Sequence, residues 1–296
     1  MPEQGSRFSF TLTLPICEIA PQKQVSTMPQ AAGELRQTLE RRAMEGTRVL
    51  VVEDSLINQK VTLKMLELAG CQAEAAANGK EALAMLVRGR HELILMDIQM
   101  PEMDGLEATR RIRGGEIPGI DPRIPIVALT AHALKGDRER FLAAGMDDYL
   151  PKPIQTGPLA RALERFTGGG QKADREPDRD GVEAAFDQRG FLSRLGGDTA
   201  LAEEILGLFL EDAKRQIDLL VQSMARGDLP AVRLGAHRLK GAAGNVSALC
   251  IQGVAARIER VCQDERPLVW TDSQDQLREA LDQFRESISA LRMNRH

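Results

Sequence analysis

Short apolar runs and helical stripes take turns along residues 47–166. Arg48-Val49-Leu50-Val51-Val52, Leu93-Ile94-Leu95-Met96 and Ile126-Val127-Ala128-Leu129 have almost no polar interruption, the pattern of strands buried on both faces of a parallel sheet. Ala73 to Ala77 reads as a weaker strand and Asp148-Tyr149-Leu150 as a short one. Between them apolar residues recur at helical spacing: Ile57, Val61, Met65 and Leu68, closed by Gly70; then Ala82, Leu83 and Leu86 after the Asn78-Gly79 turn. Leu106, Thr109 and Ile112 follow, then Leu134, Arg138 and Phe141, and last Leu159, Ala162, Leu163 and Phe166. Five strands alternating with five helices predict an α/β doubly wound sheet.

Residues 185–296 carry no strand pattern and four helical stripes. One is Leu201, Ile205, Phe209, Ala213, Ile217, Leu220 and Met224, and a second is Val232, Ala236, Leu239, Ala243 and Val246. A third is Ile251, Val254, Ile258 and Val261, and a fourth is Leu277, Leu281, Phe284, Ile288 and Leu291. Short connections favour an antiparallel four-helix bundle. Between the two regions, residues 168–184 have glycine at both ends with charge and proline between. This composition reads as a flexible linker, with a reach of roughly 20 Å. Near the start, residues 7–14 alternate polar and apolar with period two, a half-buried strand that cannot bury its face alone. Residues 17–46 read as a connector, with proline early and helix formers from Glu34 to Glu45.

A length of 296 residues suits two domains. A net charge of −4 and 3% aromatics give neither a basic footprint nor a stacking platform for nucleic acid. No apolar run reaches the length of a membrane span and nothing at the start reads as a signal peptide. Cys17, Cys71, Cys250 and Cys262 lack metal-ligand spacing, so they read as reduced thiols, and the expected compartment is the cytoplasm.

The chemistry stands at the strand ends. The first strand runs into Glu53-Asp54, the third ends on Asp97, the fourth on Thr130 and the last on Pro151-Lys152-Pro153. In open α/β sheets the reacting groups sit outside the carboxyl ends of the strands. Parallel strands would therefore bring three carboxylates, a hydroxyl and an ammonium to one edge. Three carboxylates do not all stay ionised together without a cation, and oxygen ligands in that number suit Mg²⁺. The hydroxyl and ammonium would face the oxygens of a phosphoryl group.

With the acidic pair, the Met96-Asp97-Ile98-Gln99-Met100-Pro101-Glu102-Met103-Asp104-Gly105 stretch, the Thr130-Ala131 step and the Lys152-Pro153 step in hand, residues 47–167 resemble a response-regulator receiver domain. The resemblance implies a flavodoxin-like sheet of order 2-1-3-4-5 with Asp97 as phosphoacceptor. It further implies that Glu53, Asp54, Asp97 and the backbone carbonyl of Gln99 hold Mg²⁺. Thr130 and Lys152 would bind phosphoryl oxygens, and Tyr149 would move with Thr130 as the switch. Residues 1–16 resemble the terminal strand of a histidine-kinase ATP-binding domain, without the nucleotide motifs or the dimerisation helix that such a kinase needs. The chain looks like the C-terminal part of a hybrid sensor histidine kinase.

A second reactive residue lies in Ala236-His237-Arg238-Leu239-Lys240-Gly241-Ala242-Ala243-Gly244-Asn245. At about 100° per residue, His237, Lys240, Gly241 and Gly244 cluster some 140° from the apolar stripe, so His237 is expected to point to solvent. Glycine inside a helix costs ~1 kcal/mol relative to alanine, and two on one face suggest a docking surface where a partner approaches closely. Lys240 would stand ready for phosphoryl oxygens. The His-x-Leu-Lys-Gly run and the four stripes make residues 185–296 resemble a histidine phosphotransfer domain. Ser247 departs from the glycine many relatives carry.

Together the two resemblances imply a phosphorelay. Phosphoryl would pass from an upstream histidine-kinase domain to Asp97, then to His237, then to a downstream response regulator. Two other readings stand beside it: a fragment of an autophosphorylating kinase, and a phosphorylation-controlled docking protein in which His237 drains phosphate.

Overall fold

The structure, a computed structural model, describes residues 46–130, 135–167, 185–263 and 270–293. The strand expected over residues 7–14, most of the connector and the linker at 168–184 lie outside them. The first unit runs β1 (Arg48–Val52), α1 (Leu56–Leu68), β2 (Gln72–Ala76), α2 (Gly79–Arg88), β3 (Leu93–Asp97), α3 (Gly105–Arg113), β4 (Ile126–Thr130), α4 (Lys135–Ala143), β5 (Asp148–Pro151) and α5 (Thr156–Thr167). All neighbouring strands pair parallel in the order β2-β1-β3-β4-β5.

Alternation along the strands divides the core. Val49, Val51, Leu93, Leu95, Val127 and Leu129 face α1 and α5, while Leu50, Val52, Ile94, Met96, Ile126 and Ala128 face α2, α3 and α4. Every residue of β3 and β4 is buried, as a sheet covered on both sides requires. Polar caps start the helices: Ser55, Asn78 and Asp104 accept from the backbone N–H groups of Asn58, Glu81 and Glu107, each worth about 1 kcal/mol. Gly105 opens α3 hard against the end of β3. A Cβ there would stand 2.1 Å from the carbonyl oxygen of Asp97, so only glycine lets the helix start so close to the reactive strand end. In α4 the expected stripe fails at Arg138, which is exposed, while Phe141 is buried. A nine-residue helix needs few anchors, and Arg138 faces water.

The second unit contains α6 (Gln188–Arg194), α7 (Thr199–Arg226), α8 (Leu229–Asn245), α9 (Leu249–Gln263) and α10 (Trp270–Met293). The four expected stripes are α7 to α10, and α6 is a short additional helix. Phe191, Phe209 and Phe284 are fully buried, and Phe284 stacks edge-on with Phe186 and Phe209. Arg194 of α6 is buried too, donating to the Asn245 carbonyl at 3.0 Å and the Ser247 hydroxyl at 2.8 Å. It thereby satisfies the C-terminal end of α8. Ser247 takes a φ of +56°, the left-handed conformation for which glycine is the usual choice. Among the described residues no helix is long and apolar enough to cross a membrane.

Candidate functional site

The parallel register sets the carboxyl ends of β1, β3, β4 and β5 side by side, and the side chains there converge. The nearest carboxylate oxygens of Glu53, Asp54 and Asp97 all lie within 4.8 Å of one another. Lys152, following β5, reaches Glu53 at 2.5 Å and Asp97 at 2.7 Å. Asn58 donates to Glu53 at 2.7 Å, and the Gln99 backbone N–H donates to Asp97 at 3.4 Å. Thr130 is buried at the end of β4, opposite Pro151, and Tyr149 is half-buried in β5.

The electrostatics of this cluster follow from its crowding. Burial pushes the Asp97 carboxyl up to about 7; Lys152 opposes that shift, and Glu53 and Asp54 add to it. Asp54 is raised as well, by burial and then by Glu53, with a cation opposing. For Lys152 burial disfavours the ammonium, yet Asp97 and Glu53 outweigh it and hold its pKa well above the ordinary value. One ammonium among three crowded carboxylates leaves negative charge uncompensated. The spacing and the all-oxygen donor set are what a hard divalent cation takes.

The histidine sits differently from the sequence expectation. Its side chain is only 14% exposed, and its Nδ1 lies 2.7 Å from a carboxylate oxygen of Glu259 on α9. Lys240 reaches the other oxygen of Glu259 at 2.6 Å. Burial would raise Glu259, but the hydrogen bonds from His237 and Lys240 win and hold it at about 2. An ionised carboxylate only accepts hydrogen bonds. Nδ1 of His237 therefore carries a proton, and in the neutral ring the lone pair is on Nε2.

Asp97 and His237 line one cavity of about 740 Å³, bounded by Glu53, Asp54, Asp97, Gln99 and Lys152 on one side and His237, Arg238 and Gly241 on the other. Thr130, Tyr149, Lys240 and Gly244 are not part of that lining.

Two family models match the chain. Residues 49–164 match the model described as "Response regulator receiver domain", and residues 204–287 match that described as "Hpt domain". The chain carries a receiver domain followed by an Hpt domain. It is 32% identical over 245 residues to the sensor histidine kinase GacS of Pseudomonas protegens, a match over 81% of this chain and 26% of the relative. It is 29% identical over 309 residues to the aerobic respiration control sensor protein ArcB of Escherichia coli K12, over 98% of this chain and 36% of the relative. The chain thus spans about a quarter to a third of these relatives' length. Among solved structures, it resembles the receiver domain of sensor histidine kinase PA1611 from Pseudomonas aeruginosa PAO1, crystallised with magnesium in its active-site cleft. That match is 45% identical and covers 41% of this chain and 97% of the other, with a TM-score of 0.38.

The receiver and Hpt domains are packed together. The apolar core on the α1/α5 face of the receiver runs on into the bundle. Lys60 of α1 pairs with Glu204 at 2.8 Å, Lys64 with Asp198 at 3.7 Å, and Arg238 of the Hpt domain with Asp54 at 3.1 Å. The two helix glycines meet the receiver as well. A Cβ at Gly241 would lie 3.9 Å from the Asn58 amide; one at Gly244 would lie 3.4 Å from Pro153 and 2.8 Å from the Gln252 amide of α9. Gly244 is therefore buried between two neighbours and not on the open face expected from the helical wheel.

Glu259 and Arg238 were not among the residues singled out from sequence. Glu259 had a signal: Ile251, Ala255 and Glu259 recur every four residues on one buried line, and a carboxylate ending an apolar row needs a partner. Arg238 had none, because its partner lies in the other domain.

Proposed function

We propose that the chain is a phosphorelay intermediate in which Asp97 takes a phosphoryl group from an upstream phosphohistidine and hands it to His237. The carrying observation is that Asp97, with its acidic neighbours and Lys152, and His237, with its lone pair on Nε2, line the same cleft. In the first step a carboxylate oxygen of Asp97 attacks phosphorus and the donor's P–N bond breaks. In the second, Nε2 of His237 attacks phosphorus and the O–P bond breaks, returning Asp97 as a carboxylate. Nδ1 keeps its proton on Glu259 throughout, so the ring accepts phosphorus without first losing a proton. Lys152 stays beside the transferring oxygens and opposes the charge that builds there.

Glu53, Asp54, Asp97 and the Gln99 carbonyl would hold Mg²⁺, which when bound supplies neutralisation of phosphoryl charge. Thr130, at the end of β4, would meet a phosphoryl group on Asp97, with Tyr149 following it. A downstream response regulator would then take the group from His237. The relatives' names support placing the chain within a hybrid sensor histidine kinase, and we place its action in the cytoplasm. Domain limits of 47–167 and 185–296 suit this reading.

The test is to offer the chain a phosphorylated donor kinase domain and then a panel of purified receivers. Labelling lost in Asp97→Asn, and onward transfer lost in His237→Gln, are the expected results. Full labelling of the Asp97→Asn chain would refute the reading, and ATP-dependent self-labelling would favour the autokinase alternative.

A further inference from the structure

The receiver cleft does not balance its charge alone. Glu53, Asp54 and Asp97 crowd three carboxyl groups around the single ammonium of Lys152. A further cation in contact is Arg238, whose Nη2 lies 3.1 Å from Asp54 Oδ2. Arg238 belongs to the Hpt domain and directly follows His237 on α8. Two other ion pairs between the domains among the described residues, Lys60–Glu204 and Lys64–Asp198, touch none of the three clustered carboxylates. They contribute little and do not sense what happens in the cleft.

We propose that Arg238 is a tethered counter-ion that makes Hpt docking respond to the charge state of the receiver site: a divalent cation in the acidic cluster loosens docking, and a phosphoryl group on Asp97 restores it. Without a divalent cation, the three carboxyl groups carry more negative charge than Lys152 offsets, and the guanidinium is drawn in. A bound Mg²⁺ offsets that charge and repels the guanidinium. Replacing the Asp97 carboxylate by an acyl phosphate dianion adds one negative charge, and Arg238 is attracted again.

The device orders the relay. The phosphorylated receiver draws the Hpt histidine in, and once phosphorus has left, the metal-loaded receiver lets the Hpt domain go to meet another protein. The phosphoryl half rests on the function proposed above; the metal half does not. Because coupling is reciprocal, docking must also weaken metal binding, and this gives a readout free of any transfer activity.

The experiment uses the whole chain, with Mg²⁺ titrated by calorimetry into wild type, Arg238→Gln and Arg238→Lys. Removing the competing charge is expected to tighten Mg²⁺ binding about 5-fold, at the lower end of usual coupling strengths, while Arg238→Lys stays within about twofold of wild type on the same scale. Equal dissociation constants for wild type and Arg238→Gln would overturn the proposal. Small-angle scattering of wild type should show a compact chain without metal, a more extended one in Mg²⁺, and a compact one again with Mg²⁺ and beryllofluoride. A chain equally compact in all three states would overturn it as well. If beryllofluoride fails to bind, judged by its fluorine resonance, the relay reading falls while the calorimetry still decides the metal half.

Discussion

Glu259→Gln tests the geometry of the histidine at nearly constant shape. The wild-type carboxylate is 3% exposed and meets His237 Nδ1 at 2.7 Å and Lys240 Nζ at 2.6 Å. The amide keeps an oxygen for Lys240, but it brings an NH₂ that can donate to the imidazole as easily as its oxygen can accept. The ring is then free to carry its proton on Nε2, the atom proposed to attack. Exchanging a charge-assisted hydrogen bond for a neutral one forfeits about 1–1.5 kcal/mol, roughly a tenfold loss in the reactive tautomer. Transfer from Asp97 to His237 should slow about tenfold. Stability should also fall by about 1–3 kcal/mol, because the ammonium of buried Lys240 loses its counter-charge. The assay pairs ¹⁵N chemical shifts of the imidazole, which report the tautomer, with the single-turnover transfer rate and a denaturant titration. A variant with Nδ1 still protonated that transfers at the wild-type rate would show that Glu259 does not position the ring.

Acid should reveal the same carboxylate. Its folded pKa of about 2 lies below the ordinary 4.5, so its contribution is complete above about pH 4.5 and is lost as pH falls through about 2; the stability difference between wild type and Glu259→Gln should shrink over that window in urea titrations. Gly105→Ala would place a methyl 2.1 Å from the Asp97 carbonyl, costing about 3 kcal/mol or more by overpacking, read as a lowered denaturation midpoint and a displaced Asp97 resonance. Arg194→Ala should cost about 2–3 kcal/mol, since the Asn245 carbonyl and Ser247 hydroxyl lose their buried donor; unchanged melting would show that the end of α8 is satisfied another way.

What could be read from sequence, and what could not, divides along one physical line. Strands such as Leu93–Asp97 are buried on both faces, so they need unbroken apolar runs, and the polar residue that ends each run marks the sheet edge. The Glu53, Asp54, Asp97 and Lys152 cluster was legible for that reason. The helical wheel likewise gave the buried stripe of α8. It failed at His237 and Gly244 because a wheel sees one helix and its average environment, whereas His237 is held by α9 and Gly244 is covered by α9 and by the receiver. Arg138 misled for the opposite reason, since chance spacing in a short helix looks like a stripe. The seven residues of α6 carry too few apolar positions to show a period at all, though Phe191 and Arg194 both end up buried there.

The most direct test follows one phosphoryl group through the chain. Purified chain is mixed with a phosphorylated donor kinase domain, quenched at intervals, and the peptides bearing Asp97 and His237 are weighed by mass spectrometry. The expected course is an early phosphoryl on Asp97 that declines as the same mass addition rises on His237, with His237→Gln holding it on Asp97. Phosphorylation of His237 at an undiminished rate in Asp97→Asn would contradict the account.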